Sequence, residues 1–102
     1  MPARVWFSPQ ARSQAREAAI WWRTNRPLAP RLFAEELRTY VGLLSENPEL
    51  GRAFPSATIP ALHRILLPGT KYHLYYVLKA PEELEIVTVW SAVKGRLPPL
   101  SR

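Results

Sequence analysis

A chain of 102 residues with 14 Lys and Arg against 8 acidic residues has room for one basic domain and one modest core. Its apolar fraction of 47% excludes disorder over most of the length, and the absence of Cys excludes disulfides and thiolate metal sites. No apolar run approaches the roughly 18 residues of a membrane span, and the opening Met-Pro-Ala-Arg-Val-Trp-Phe has no secretion-signal pattern, so a cytoplasmic protein is expected.

In chain order, Ala3–Phe7 is a short β-rich run and reads as a strand. Ser8-Pro9 then reads as an N-cap followed by Pro at the first helical position, where its missing N–H costs nothing. Ala11, Ala15, Ala18, Ala19 and Trp22 recur at spacings of three and four, one face of a helix running to about Thr24. The other face of that helix carries Arg12, Arg16 and Arg23. Asn25-Arg26-Pro27 ends it, and either Pro27 or Pro30 fits the opening turn of a second helix. Phe33, Leu37, Tyr40, Val41 and Leu44 continue the helical spacing until Asn47-Pro48. Two helices so closely joined should pack as a hairpin.

After Gly51 the period changes. Residues 52–60 read as loop, bracketed by Pro55 and Pro60. Ala61–Leu67 reads as a strand, Pro68-Gly69 as a turn, Lys71–Leu78 as an aromatic-rich strand, and Leu84–Trp90 as a third. In the third, Leu84, Ile86 and Thr88 alternate against Glu85, Val87 and Val89. Short connections imply an antiparallel meander. The tail, about 95–102, is too Pro-rich to continue a sheet. The expectation is an α+β fold in the order β-α-α-β-β-β, a helical hairpin packed on one face of a small antiparallel-rich sheet, forming a single domain over residues 1–102.

Charge is unevenly distributed along this frame. Residues 1–31 hold six Arg against Glu17, residues 32–51 have a net charge of −3, and residues 52–81 hold four cations and no acid. Such a surplus favours an acidic partner, either nucleic acid or protein. Cofactors and metals are not expected, because His63 and His73 are the only histidines and no Glu cluster accompanies them. His73 lies among Tyr72, Tyr75 and Tyr76, where it can exchange a proton or simply pack on the rings. Arg64, Lys71 and Lys79 can form one basic patch across neighbouring strands, or a solvated face. Trp22 belongs to the apolar stripe, whereas Trp21 is flanking or exposed. Without Asp and Cys there is no nucleophilic triad, and four isolated Gly make no phosphate-cradling loop. Cleavage of nucleic acid by basic and aromatic residues, or binding alone, stays open.

The segments together resemble the RelE/ParE toxin family. The resemblance runs from Ser8-Pro9-Gln10-Ala11 through the Trp22–Pro27 break, Leu44–Arg52 and Leu62-His63-Arg64. It continues through Tyr72–Tyr76, Val87–Ser91 and Lys94-Gly95-Arg96. It implies a β-α-α-β-β-β toxin of a type II toxin–antitoxin pair, neutralised in a hetero-oligomer by an antitoxin with an acidic C-terminal segment. Within the family, RelE-like members cut messenger RNA on the ribosome, and ParE-like members poison DNA gyrase. Arg64 falls where cleaving members place a basic residue, His73 where many carry Arg, and no aromatic follows Trp90. Ser91 stands where many ParE-like relatives have His, with Lys94 matching their following basic residue. The resemblance therefore points to a gyrase-binding toxin without covalent chemistry, in which Arg64, Lys71, His73, Lys94 and Arg96 contact target or antitoxin. The alternatives are a ribosome-dependent endonuclease acting through His73, Arg64 and Lys71, a degenerate non-toxic member, or a basic binding module.

Overall fold

The computed structural model describes residues 2–100, so the last two residues of the Pro-rich tail lie outside the described residues. The elements are β1 (Arg4–Phe7), α1 (Pro9–Asn25), α2 (Leu32–Glu46), β2 (Arg52–Ala53), β3 (His63–Leu67), β4 (Tyr72–Ala80) and β5 (Glu83–Ser91). They form two helices on a five-stranded mixed sheet ordered β1-β5-β4-β3-β2. The pairing of β1 with β5 is parallel and the others are antiparallel. The expected α+β architecture and the meander are present.

Local chemistry fixes the start of α1. Ser8 caps it, its Oγ accepting the Ala11 N–H at 3.0 Å and donating to the Val87 carbonyl at 3.1 Å. One hydroxyl therefore starts the helix and ties it to β5, 79 residues away. The second helix begins later than expected. Neither Pro27 nor Pro30 opens it: α2 starts at Leu32. Pro30 steers Ala29 away from the helical region, and the connection is instead closed by turn bonds from Ala29 N–H to Arg26 O and from Leu32 N–H to Ala29 O. Once formed, α2 is anchored by Glu36. Its carboxylate accepts the Gly69 N–H at 2.6 Å, the Thr70 N–H at 2.9 Å and the Thr70 hydroxyl at 2.7 Å.

Three strand expectations need correction. Residues 52–60 are not all loop, because Arg52 and Ala53 pair with Arg64 and His63 as a short edge strand. The next strand starts at His63, since Ala61 takes a positive φ of 57° that extended pairing cannot accommodate. Lys71 likewise has φ 63° and closes the β3–β4 turn through its N–H to Leu67 O at 2.8 Å, so β4 begins only at Tyr72.

The alternation expected in β5 also fails halfway. Tyr75 faces Thr88 but Tyr76 faces Ile86, leaving Val87 as an unpaired extra residue. This bulge reverses the pleat beyond it. Val89 joins Leu84 and Ile86 beneath the helices, and Thr88 turns to the other face. The bulged Val87 carbonyl is satisfied by the Ser8 and Thr88 hydroxyls.

The two faces of the sheet are both covered. Beneath the helices, Phe33, Leu44, Leu67, Leu74, Tyr76, Leu84 and Ile86 are fully buried. The Tyr76 hydroxyl accepts the Gly51 N–H at 2.9 Å and donates to Pro48 O at 2.8 Å. Burial raises the Tyr76 pKa above its usual value. A Cβ on Gly51 would come within 2.7 Å of both the Arg64 carbonyl and that hydroxyl, so only Gly fits there. On the opposite face Ile59, Leu62, Tyr75 and Val77 are buried with Phe54, Val87, Trp90 and Leu100 packed against them. No helix of the described residues is long and apolar enough to cross a membrane.

Candidate functional site

The second face of the sheet gathers most of the residues singled out in the sequence. The pleat places His73 and Tyr75 of β4 on this face, and register sets Arg64 opposite Tyr75 and His73 opposite Trp90. The Arg64 guanidinium donates to the Tyr75 hydroxyl at 3.2 Å and lies over the Phe54 ring, 4.6 Å from its centroid. His73 meets Tyr75 edge to face at 5.9 Å. Past the end of β5 the chain folds back, and the Trp90 indole N–H donates to the Arg96 carbonyl at 3.0 Å. That return places Lys94 and Arg96 over the Trp90 ring, at 5.1 and 5.3 Å from its centroid. The tail is then pinned across the face by Thr58 Oγ1, which donates to Leu100 O at 2.7 Å.

Electrostatics on this face run one way. Burial, and secondarily the Arg64 charge, lower the His73 pKa below its ordinary value, so the imidazole is neutral at pH 7. Arg64, Lys94 and Arg96 make no ion pair among the described residues, whose two salt bridges are Arg4–Glu83 and Lys79–Glu85. The carboxylate of this face, Glu85, is taken up by Lys79, so the cations that alternate with its aromatic rings at Arg64, Lys94 and Arg96 have no ion-pair partner among the described residues.

Two expectations for this site do not hold as stated. Lys71 and Lys79 are not in one patch with Arg64. Lys71 lies in the turn before β4 and Lys79 near the strand's far end, eight residues or about 26 Å apart at strand rise, and Lys79 is already paired with Glu85 at 3.3 Å. The tyrosines beside His73 also separate. Tyr72 and Tyr76 point beneath the helices, where burial raises the pKa of each, and Tyr75 is only 1% exposed. Phe54 and Trp90 belong to the face although their role was not read from the sequence. The meander register, which sets Trp90 opposite His73, is the signal that would have found Trp90.

A separate groove of about 430 Å³ runs between α1 and the end of β5. Ala18, Trp22, Tyr72 and Val89 give it apolar walls, and Arg26 and Lys94 line it as well. Trp21 is 44% exposed and meets Trp22 edge to face at 5.9 Å. The Arg26 guanidinium lies 4.9 Å from the Trp21 centroid and 5.5 Å from that of Trp22. Trp22 packs on the core as expected, and Trp21 is the exposed partner.

Against known proteins, residues 5–94 match the family described as ParE toxin of type II toxin-antitoxin system, parDE. This chain belongs to the ParE toxin family. Among solved structures the chain is similar to one described as the chromosomal ParDE TA system from P. aeruginosa. The TM-score is 0.67 at 13% identity, over 87% of this chain and 95% of that one. At that identity the likeness speaks for the fold, and the ParE fold is what the element order gives. No curated protein matches the chain. Membership in the ParE family assigns the chain the role of a toxin.

Proposed function

We propose that this ParE-family toxin acts in the cytoplasm by binding DNA gyrase and is neutralised by a cognate antitoxin. The observation that favours binding over RNA cleavage is the fate of the proton-transfer groups around His73. Cleavage without a metal needs a base, an acid and a cation within hydrogen-bond reach of one phosphate. His73 can serve as a base. Its neighbouring tyrosines cannot serve as the acid, because two face the helix core and Tyr75 is buried with its hydroxyl held by Arg64. A surface of Arg64, His73, Trp90, Lys94 and Arg96 is suited instead to a protein interface, where Arg and Trp supply most anchoring contacts.

The antitoxin reading is supported by the groove beside α1. Apolar walls with Arg26 and Lys94 beside them suit an amphipathic acidic segment that folds on binding, the family's expected partner. The deciding experiment adds the purified chain to gyrase and plasmid DNA, and separately to a translating system. Loss of supercoiling, or gyrase-linked DNA cleavage, is the expected outcome, weakened by an Arg64→Ala/Lys94→Ala/Arg96→Ala variant. Discrete cuts inside ribosome-bound message that vanish in His73→Ala would replace the gyrase reading with endonuclease action.

A further inference from the structure

The outward side of α1 carries a charge pattern that neither the groove nor the sheet face uses. Arg12, Arg16 and Arg23 fall within roughly 40° of arc at helical spacing, forming one ridge about 16 Å long. All three are exposed, and none makes an ion pair among the described residues. The single acid of α1, Glu17, lies around the helix at the groove. Arg12 and Arg16, one turn apart, repel each other, so the ridge works against the isolated helix. No ion pair among the described residues compensates it.

We propose that this ridge docks on the phosphate backbone of duplex nucleic acid. The planar guanidinium presents forked donors that match phosphate oxygens, and it stays charged under all physiological conditions. A ridge of about 16 Å with long side chains spans a major groove roughly 12 Å wide, so its end arginines reach phosphates on opposite rims. All three arginines are assigned to phosphates, which carry no sequence information, so binding is independent of sequence. An acidic protein segment is the weaker fit here. The apolar walls such a segment needs lie in the groove on the other side of α1, whereas beside the ridge α1 exposes one large apolar side chain, Ile20. The ridge is thus separate both from the groove and from the cationic sheet face, which share Trp90 and Lys94. DNA contact would not displace a partner from either of the others, and it does not depend on gyrase being the target.

Fluorescence anisotropy of the purified chain with a labelled 20-base-pair duplex of arbitrary sequence tests this. Three phosphate contacts predict a slope of log K against log salt near −2.7, and about 40-fold weaker binding at 200 mM than at 50 mM salt. Arg12→Gln/Arg16→Gln/Arg23→Gln should flatten the slope towards zero. A control with the same loss of charge at exposed Arg31, Arg38 and Arg52 should keep most of it, and circular dichroism would verify that both variants are folded. Equal weakening in the two variants would reduce the effect to net charge and overturn the proposal. Undiminished DNA binding by the ridge variant, with or without a weakened antitoxin complex, would overturn it too.

Discussion

The helix-covered face of the sheet buries Leu74, Tyr76, Leu84 and Ile86 beneath Phe33 and Leu44, whereas the opposite face buries Tyr75 and Val77 beneath a loop and a tail. The first cover is two helices, each with its own internal hydrogen bonds, locked to the sheet through Ser8 and Glu36. The second cover holds itself by single contacts such as Thr58 to Leu100 and Trp90 to Arg96. The firmer cover lies on one face, and Arg64, Lys94 and Arg96 lie on the other. The surface proposed to meet partners is thereby spared from holding the fold together.

This contrast is sharpest in cavity-forming substitutions. Leu74→Ala removes a fully buried side chain from a region that cannot collapse, and should cost about 3–5 kcal/mol in urea unfolding. Since domains of this size are stable by about 5–15 kcal/mol, the variant should be close to unfolding. Ile59→Ala, equally buried but under loop and tail, should fall nearer 2 kcal/mol because the cover can settle inward. Equal losses at the two positions would show that the second cover is as rigid as the first. Tyr76→Phe leaves the Gly51 N–H and Pro48 carbonyl without their partner, at a cost of about 1–3 kcal/mol.

A smaller effect belongs to pH. The His73 pKa is lowered in the folded state from its ordinary 6.5, so below pH 6.5 the unfolded chain binds the extra proton first. The stabilising contribution of neutral His73 is therefore complete above that pH and is lost as pH falls through the folded-state value. Thermal melts of wild type and His73→Gln between pH 7.5 and 5 should converge towards the acid end. Because His73 is partly solvated, the difference will be modest. Parallel melting curves would mean that burial and Arg64 leave its titration undisturbed.

The same two faces divide what the sequence made legible. Helical spacing from Ala11 to Trp22 and from Phe33 to Leu44 located both helices, and aromatic and β-branched runs located β4 and β5. Local periodicity reports contacts with a neighbouring layer, so it read the helix-covered face well. It failed at Val87, where one unpaired residue inverts the alternation and no local signal marks the change. It also missed β2, whose two residues are too few to show a period. The second core draws Phe54, Ile59 and Leu100 from irregular segments that only tertiary packing brings together. For the candidate site, residue chemistry singled out Arg64 and His73 and the family resemblance Lys94 and Arg96, which the fold gathers on one face, but the patch with Lys71 and Lys79 ignored distance along the strand. The tyrosines, likewise, could be assigned to faces only once the pleat was known.

The parallel pairing of β1 with β5 also bears on how the chain is made. Each β1 residue meets a partner 79 positions later, from Arg4 with Glu83 to Phe7 with Ile86. At about 5–20 residues per second, the first strand waits roughly 4–16 s after synthesis before its neighbour exists. During that interval the hairpin of α1 and α2 can form, but Phe33, Leu44 and Trp22 have no complete sheet to lie on. A growing chain in this condition presents apolar helix surface while the sheet that will cover it is still unbuilt. The order of synthesis therefore leaves the sheet incomplete until β5 is made.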